Sequence, residues 1–292
     1  MLKKWINSLI SGTETEVTES MNFYLTVAEK EFLLNKIKDT NMPKTRLTKK
    51  DKDLIKQFRS VTYEENRDNI SRTNAYLKMY TKYPELHWAL LAHFVSRNGG
   101  WNMTDLKGSK ISEFLSHRDK EIFFSFLEKA NYLIFYDAYP QLLIYDHWKE
   151  NNEALFYLLP HLGVSPFMET MWEMFLLHKN PSILTLSLII NEQHYIEERV
   201  IQHPFYNQHV LMSIPFQLQE KLGFTIVLLP FYKNEELQLS GTMVNNFYKL
   251  SNRIEIGKLL YSLLFHIKEV YDGGIEYVYN HKHTGSRADI IP

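Results

Sequence analysis

The chain has 292 residues, enough for one large domain or two smaller ones, each with a sizeable core. Hydrophobic residues make up 45%, aromatics 14% and charged residues 23%, a composition that excludes disorder for the body of the chain. Lys plus Arg (33) balance Asp plus Glu (34), so no long-range field draws in nucleic acid, and zero Cys excludes disulfides, thiolate zinc sites and a cysteine nucleophile.

The opening residues, MLKKWINSLI, are basic and partly apolar, but too interrupted for a secretory apolar region. Residues 1–10 can touch a membrane surface as a small amphipathic helix, or simply fray. Residues 21–39 carry a helix with Leu25, Phe32, Leu33 and Ile37 on one side. The basic stretch 41–52 has no interleaved aromatics and reads as a solvated linker. The expected layout is an N-terminal helical extension and basic linker over 1–52, then a main α-helical domain over 53–292.

Beyond the linker a period of 3.6 dominates. It predicts helices near 53–61, 67–82, 85–98, 104–117, 119–138, 140–149, 168–178, 182–202, 214–222 and 252–271. Pro84 and Pro181 open helices, while Gly99-Gly100 and Gly273-Gly274 close them as left-handed caps. Residues 223–232 have strand-like content, but a lone strand has no partner. The fold class is all-α, a compact arrangement of about ten helices, and the lack of a fixed repeat argues against a solenoid. The apolar segments 154–168 and 222–232 are too short to span a bilayer, and the compartment expected is the cytoplasm.

Four segments carry polar residues where apolar ones are expected. The helix 85–98 is apolar on every side yet holds His93 and Arg97, with Asn98 and Trp101 just beyond. A buried cation needs a carboxylate, carbonyls or an anion. The preceding helix places Asn74 on one face with Ile70 and Leu77, flanked by Thr73, just after Ser71-Arg72. In 182–203, Glu192 interrupts the stripe Ile189–Ile196, where desolvation suits a general base and an ion pair with Arg97 or Arg199 is the alternative. The tail holds His281 and His283, which can share a divalent metal with Asp289 as an oxygen ligand, or can simply be solvated. Three of the nine arginines follow a serine: Arg72, Arg97 and Arg287. Arginine suits bidentate binding of phosphate or carboxylate. Asp137 and Asp146 are read as satisfied by hydrogen bonds. Phosphate-loop, dinucleotide, nucleophile-elbow, zinc-protease and di-iron signatures are absent from the sequence.

The run NISRTNAYLKMYTKYPELHWALLAHFVSRNGGWNMTDLKG, with INEQHYIEERVIQHPFY and HKHTGSRAD, resembles the YppC-like proteins of Bacillus-type bacteria from about residue 60 onward. That family has no assigned activity, so the resemblance implies a bacterial cytosolic setting and no catalytic residue. The residues themselves support two readings. In one, Arg72, Asn74, Arg97, Asn98, Trp101 and Arg287 bind a small anionic ligand, with Glu192 and His93 supplying acid–base capacity for a hydrolase or transferase. In the other, the protein is a non-catalytic helical interaction or scaffold protein whose buried polar residues hold it together. Neither calls for nucleic acid.

Overall fold

Helix starts follow the side chains that accept the first free backbone N–H groups. A computed structural model describes residues 25–38, 46–108, 115–213, 226–244 and 246–290. The helix α1 (Val27–Lys38) opens on a reciprocal pair: Glu29 accepts the Thr26 N–H at 2.7 Å, and Thr26 Oγ1 accepts the Glu29 N–H at 3.2 Å. Thr48 and Asp51 repeat this pattern and open α2 (Lys49–Glu65). The basic end of the expected linker is therefore the first turn of a helix. Asp68 caps α3 (Asn69–Lys82) by accepting the Ser71 N–H at 2.7 Å. Then come α4 (His87–Asp105), α5 (His117–Asn151), a 3-10 segment Phe156–Leu162, α6 (Pro166–His178) and α7 (Pro181–Ile196). Two π-type turns, Glu197–Ile201 and Asn207–Leu211, flank the short helical turn Pro204–Tyr206. A hairpin of β1 (Ile226–Lys233) and β2 (Glu236–Met243) precedes α8 (Leu250–His266), α9 (Lys268–Asn280) and a 3-10 turn Arg287–Asp289. The architecture is mostly helical, as the periodicity predicts.

Both glycine pairs depart from their predicted role. The helix α4 runs through Gly99-Gly100 to Asp105, so 106–108 form a turn where a new helix was expected. A Cβ on Gly100 would strike the Asn69 amide oxygen and lie 2.8 Å from His283 Nε2. The predicted helix 252–271 is two helices, broken at Ile267, and α9 carries Gly273-Gly274 in its interior. A Cβ on Gly273 would strike the Tyr232 backbone, 2.7 Å from its nitrogen. Glycine inside a helix costs up to about 1 kcal/mol relative to alanine. Here it admits a second chain segment against the helix.

The strand-like stretch does find a partner. β1 pairs antiparallel with β2 from Ile226↔Met243 to Lys233↔Glu236. Asn234 and Glu235 turn the hairpin at φ 52° and 65°, the two-residue geometry that matches strand twist. Pro140 does not divide 119–138 from 140–149, since α5 is continuous through it. Beside the missing N–H, Gln141 Nε2 donates to the Asp137 carbonyl at 3.1 Å. The predicted helix 214–222 and residues 1–10 lie outside the described residues. Among the described residues, no helix is long and apolar enough to cross a membrane.

The chain divides into two compact units, Met1–Glu64 with Tyr136–Glu192 and Glu65–Phe135 with Gln193–Pro292. In the first, buried Trp172 stacks on Phe156 at 5.1 Å, and its Nε1 donates to Gln141 Oε1 at 2.9 Å. Asp137 in this unit accepts from Gln141 and Asn191. The second unit packs α3 on α4 and lays β1 on α9. A separate apolar cluster there joins Leu106, Phe123, Phe126 and Leu133 to Ile196, Val200 and Val210.

Candidate functional site

The buried helix α4 presents His93, Ser96, Arg97, Gly100 and Trp101 to its neighbours, all excluded from solvent. His93 Nδ1 lies 2.8 Å from the Thr73 carbonyl. A carbonyl only accepts, so the proton is on Nδ1 and Nε2 carries a lone pair. That Nε2 is buried without a hydrogen-bond partner among the described residues. Burial, followed by the nearby Arg97 charge, pushes the His93 pKa down to about 3. Thr73 and Ser96 share a hydroxyl–hydroxyl bond of 2.6 Å. Asn69 Nδ2 donates to the Ser96 carbonyl at 2.9 Å, which fixes the orientation of its amide.

That orientation decides how the C-terminal tail is read. Asn69 Oδ1 must accept, so His283 Nε2, 2.6 Å away, donates to it. His283 Nδ1 faces Asp289 Oδ2 at 3.2 Å and the Gly285 N–H at 3.4 Å. Burial and then Arg97 lower the His283 pKa to about 4, against the opposing pull of Asp289. Asp289 accepts from Trp101 Nε1 and the Thr284 N–H, each at 3.2 Å, and from Thr284 Oγ1 at 2.5 Å. Burial pushes its pKa up, but the Thr284 and Trp101 bonds and Arg97 outweigh burial and leave it below the usual carboxylate value. With its proton on Nε2, the neutral His283 ring has only a lone pair on Nδ1, which accepts the Gly285 N–H and forms no hydrogen bond to the Asp289 carboxylate. The ring is fastened through Asn69, and the Asp–His relay geometry of a catalytic triad is not formed.

Arg97, 0% exposed, donates from Nη2 to the His281 carbonyl at 2.6 Å and lies 3.9 Å from Asp289. Its guanidinium sits over the Tyr277 ring at 4.8 Å, while its Nε and Nη1 have no hydrogen-bond partner among the described residues. Arg287 donates to Asp105 at 2.8 Å and to Asn102 at 2.9 Å, beside the Trp101 ring. Arg72 grips both oxygens of Glu128 at 2.9 and 2.6 Å. Each arginine of the three Ser-Arg segments thus has its own carboxylate.

Asn98 is consumed differently. Its amide donates to Leu228 O and accepts from Leu228 N, both at 2.8 Å, as a neighbouring strand would. Asn74 is exposed on α3. The buried stripe on that helix is Asn69, Arg72, Thr73, Tyr76 and Tyr80, one position round from the one the sequence reading chose, and Ile70 is 41% exposed. Glu192, partly buried, belongs to the first unit, whereas the other predicted residues belong to the second. His281 stacks on Tyr277 at 4.8 Å and meets the Tyr232 hydroxyl at 3.3 Å. Among the described residues, no group of three or more His, Asp or Glu is disposed to hold a metal ion. Asn69, Thr73, Ser96 and Tyr277 were missed as site residues. For those on α3 the signal was a polar stripe of spacing three and four, Asn69, Arg72 and Thr73, masked by the apolar residues between.

An α3–α4 pair clamped by a folded-back polar tail defines a class of helical protein rather than a reaction. The chain belongs to the family described as "Protein of unknown function (DUF2515)", whose model matches residues 64–292. It is 44% identical over 243 residues to the "Uncharacterized protein YppC" of Bacillus subtilis (strain 168), covering 81% of this chain and 73% of that one. No solved structure matches.

Proposed function

We propose that this protein is a non-catalytic helical interaction protein and that its polar C-terminal cluster is part of the fold. The observation carrying this reading is the pairing of Arg72 with Glu128, Arg97 with Asp289 and Arg287 with Asp105. A guanidinium already neutralised at short range gains little from an external anion, which must also displace the carboxylate. The test is thermal denaturation in phosphate and in chloride at matched ionic strength. A ligand selective for the folded state raises its stability with concentration. Any excess rise in phosphate over chloride is expected to grow linearly with concentration, as salt exclusion alone produces, whereas a saturating, phosphate-selective rise would contradict the reading.

One observation favours a second reading, a small-ligand site at α4. Arg97 Nε and Nη1 and His93 Nε2 are buried polar atoms without partners among the described residues, and such atoms are costly when unmet. Three donor or acceptor positions on adjacent turns suit a small molecule that both gives and takes hydrogen bonds. A phosphate-selective rise that disappears in Arg97→Met would establish this reading over the first.

A further inference from the structure

The second unit carries an open groove of about 490 Å³ lined by Phe124, Ser125, Glu128, Lys129, Tyr132 and Tyr206. One wall is α5, whose residues 125, 129 and 132 recur at helical spacing. The other is the turn Pro204–Tyr206, continued by Asn207–Leu211, a segment with no acidic residue. Tyr206 is anchored in place: it packs on Phe126 of the apolar cluster at 5.6 Å and its hydroxyl meets Ser125 Oγ at 3.0 Å. Phe205 (43% exposed), its ring 5.4 Å from that of Tyr206, extends apolar surface beside it.

Charge at the groove is one-sided. Lys107 lies over the Phe124 ring at 4.8 Å and Lys129 over Tyr132 at 5.9 Å, both exposed. The carboxylate in the lining, Glu128, is held on both oxygens by Arg72, and Glu121, two turns earlier on α5, is not part of the lining. Two ammonium groups over aromatic rings, next to a neutralised acid, complement a partner with carboxylates around an apolar side chain. We propose that this groove docks an acidic segment of another protein, with an apolar ring as its anchor between Tyr132 and Tyr206. The inference rests on the interaction reading above and supplies its partner chemistry.

The test is fluorescence anisotropy of three labelled peptides with the full chain. One places aspartates around a phenylalanine, the second replaces that phenylalanine with alanine, and the third places the phenylalanine among lysines. Saturable binding of the first alone is expected, weakened about tenfold or more by Lys107→Glu with Lys129→Glu. Ser125→Trp, which fills the groove from an exposed position, should abolish it. Absence of binding, equal binding of all three peptides, or binding insensitive to these variants would overturn the inference. Self-association abolished by Ser125→Trp would also overturn it, by making a second copy the occupant. The phosphate-selective stabilisation that contradicts the underlying reading has a separate readout, so the two failures are distinguishable.

Discussion

The tail clamp and the aromatic groove belong to the same unit and use similar groups in opposite ways. At the clamp, the side chains of Arg97, Trp101, His283 and Asp289 are buried and spend their hydrogen bonds inside the fold: Arg97 on the His281 carbonyl, His283 on Asn69, and Trp101 on Asp289. At the groove, Lys107 and Lys129 lie over ring faces and remain exposed to solvent. Charge buried with a partner is a device for holding a fold together, while charge left at the rim of an apolar surface is available for recognition. Substitutions at the clamp should therefore change stability, and those at the groove should change binding.

The largest effect is expected from Asp289→Ala, which leaves the Arg97 charge buried without a carboxylate. Loss of one partner of such a pair costs about 3–5 kcal/mol, measurable by urea denaturation. If this variant lost less than Lys107→Glu, the contrast between the two regions would be broken. Gly100→Ala comes next, since its methyl would press on Asn69 and His283. Overpacking of this kind costs about 1–3 kcal/mol, and a neutral result would place the tail away from α4.

Acid sharpens the comparison. The folded pKa values of His93 (about 3) and His283 (about 4) lie below the ordinary histidine value of 6.5. Between those limits the unfolded chain binds protons that the folded chain refuses. Stability should be level above pH 6.5 and fall as the pH drops, by at most about 1.4 kcal/mol per unit for each histidine. Denaturation midpoints at a series of pH values check both the sign and the window. The smallest effect is reserved for the groove: Lys107→Glu and Lys129→Glu should each move stability by no more than about 0.5 kcal/mol in the same urea assay.

Much of the helical layout was legible, because apolar periodicity records burial directly. The glycine pairs were misread for an identifiable reason. Gly-Gly after a run of apolar residues has the same local appearance whether it ends a helix or admits another segment, and the segments admitted at Gly100 and Gly273 are distant in sequence: His283 and Tyr232. The hairpin was hidden because Glu235 holds a turn position where glycine would have signalled it. At the candidate site, the need of Arg97 for a partner was visible, but the partner's identity was not, since Asp289 lies 192 positions away. Asn98 shows the same limit: its pairing with the edge of β1 depends on a strand that local pattern left without a mate.

The measurement that bears most directly on the central claim is the ring state of His283, followed by nitrogen-detected NMR of the imidazoles from pH 8 to 5. A tail locked into the fold predicts a proton held on Nε2 toward Asn69 and no titration across that range. A His283 ring that exchanges between tautomers and titrates near 6.5, as a solvated histidine does, would contradict the clamp.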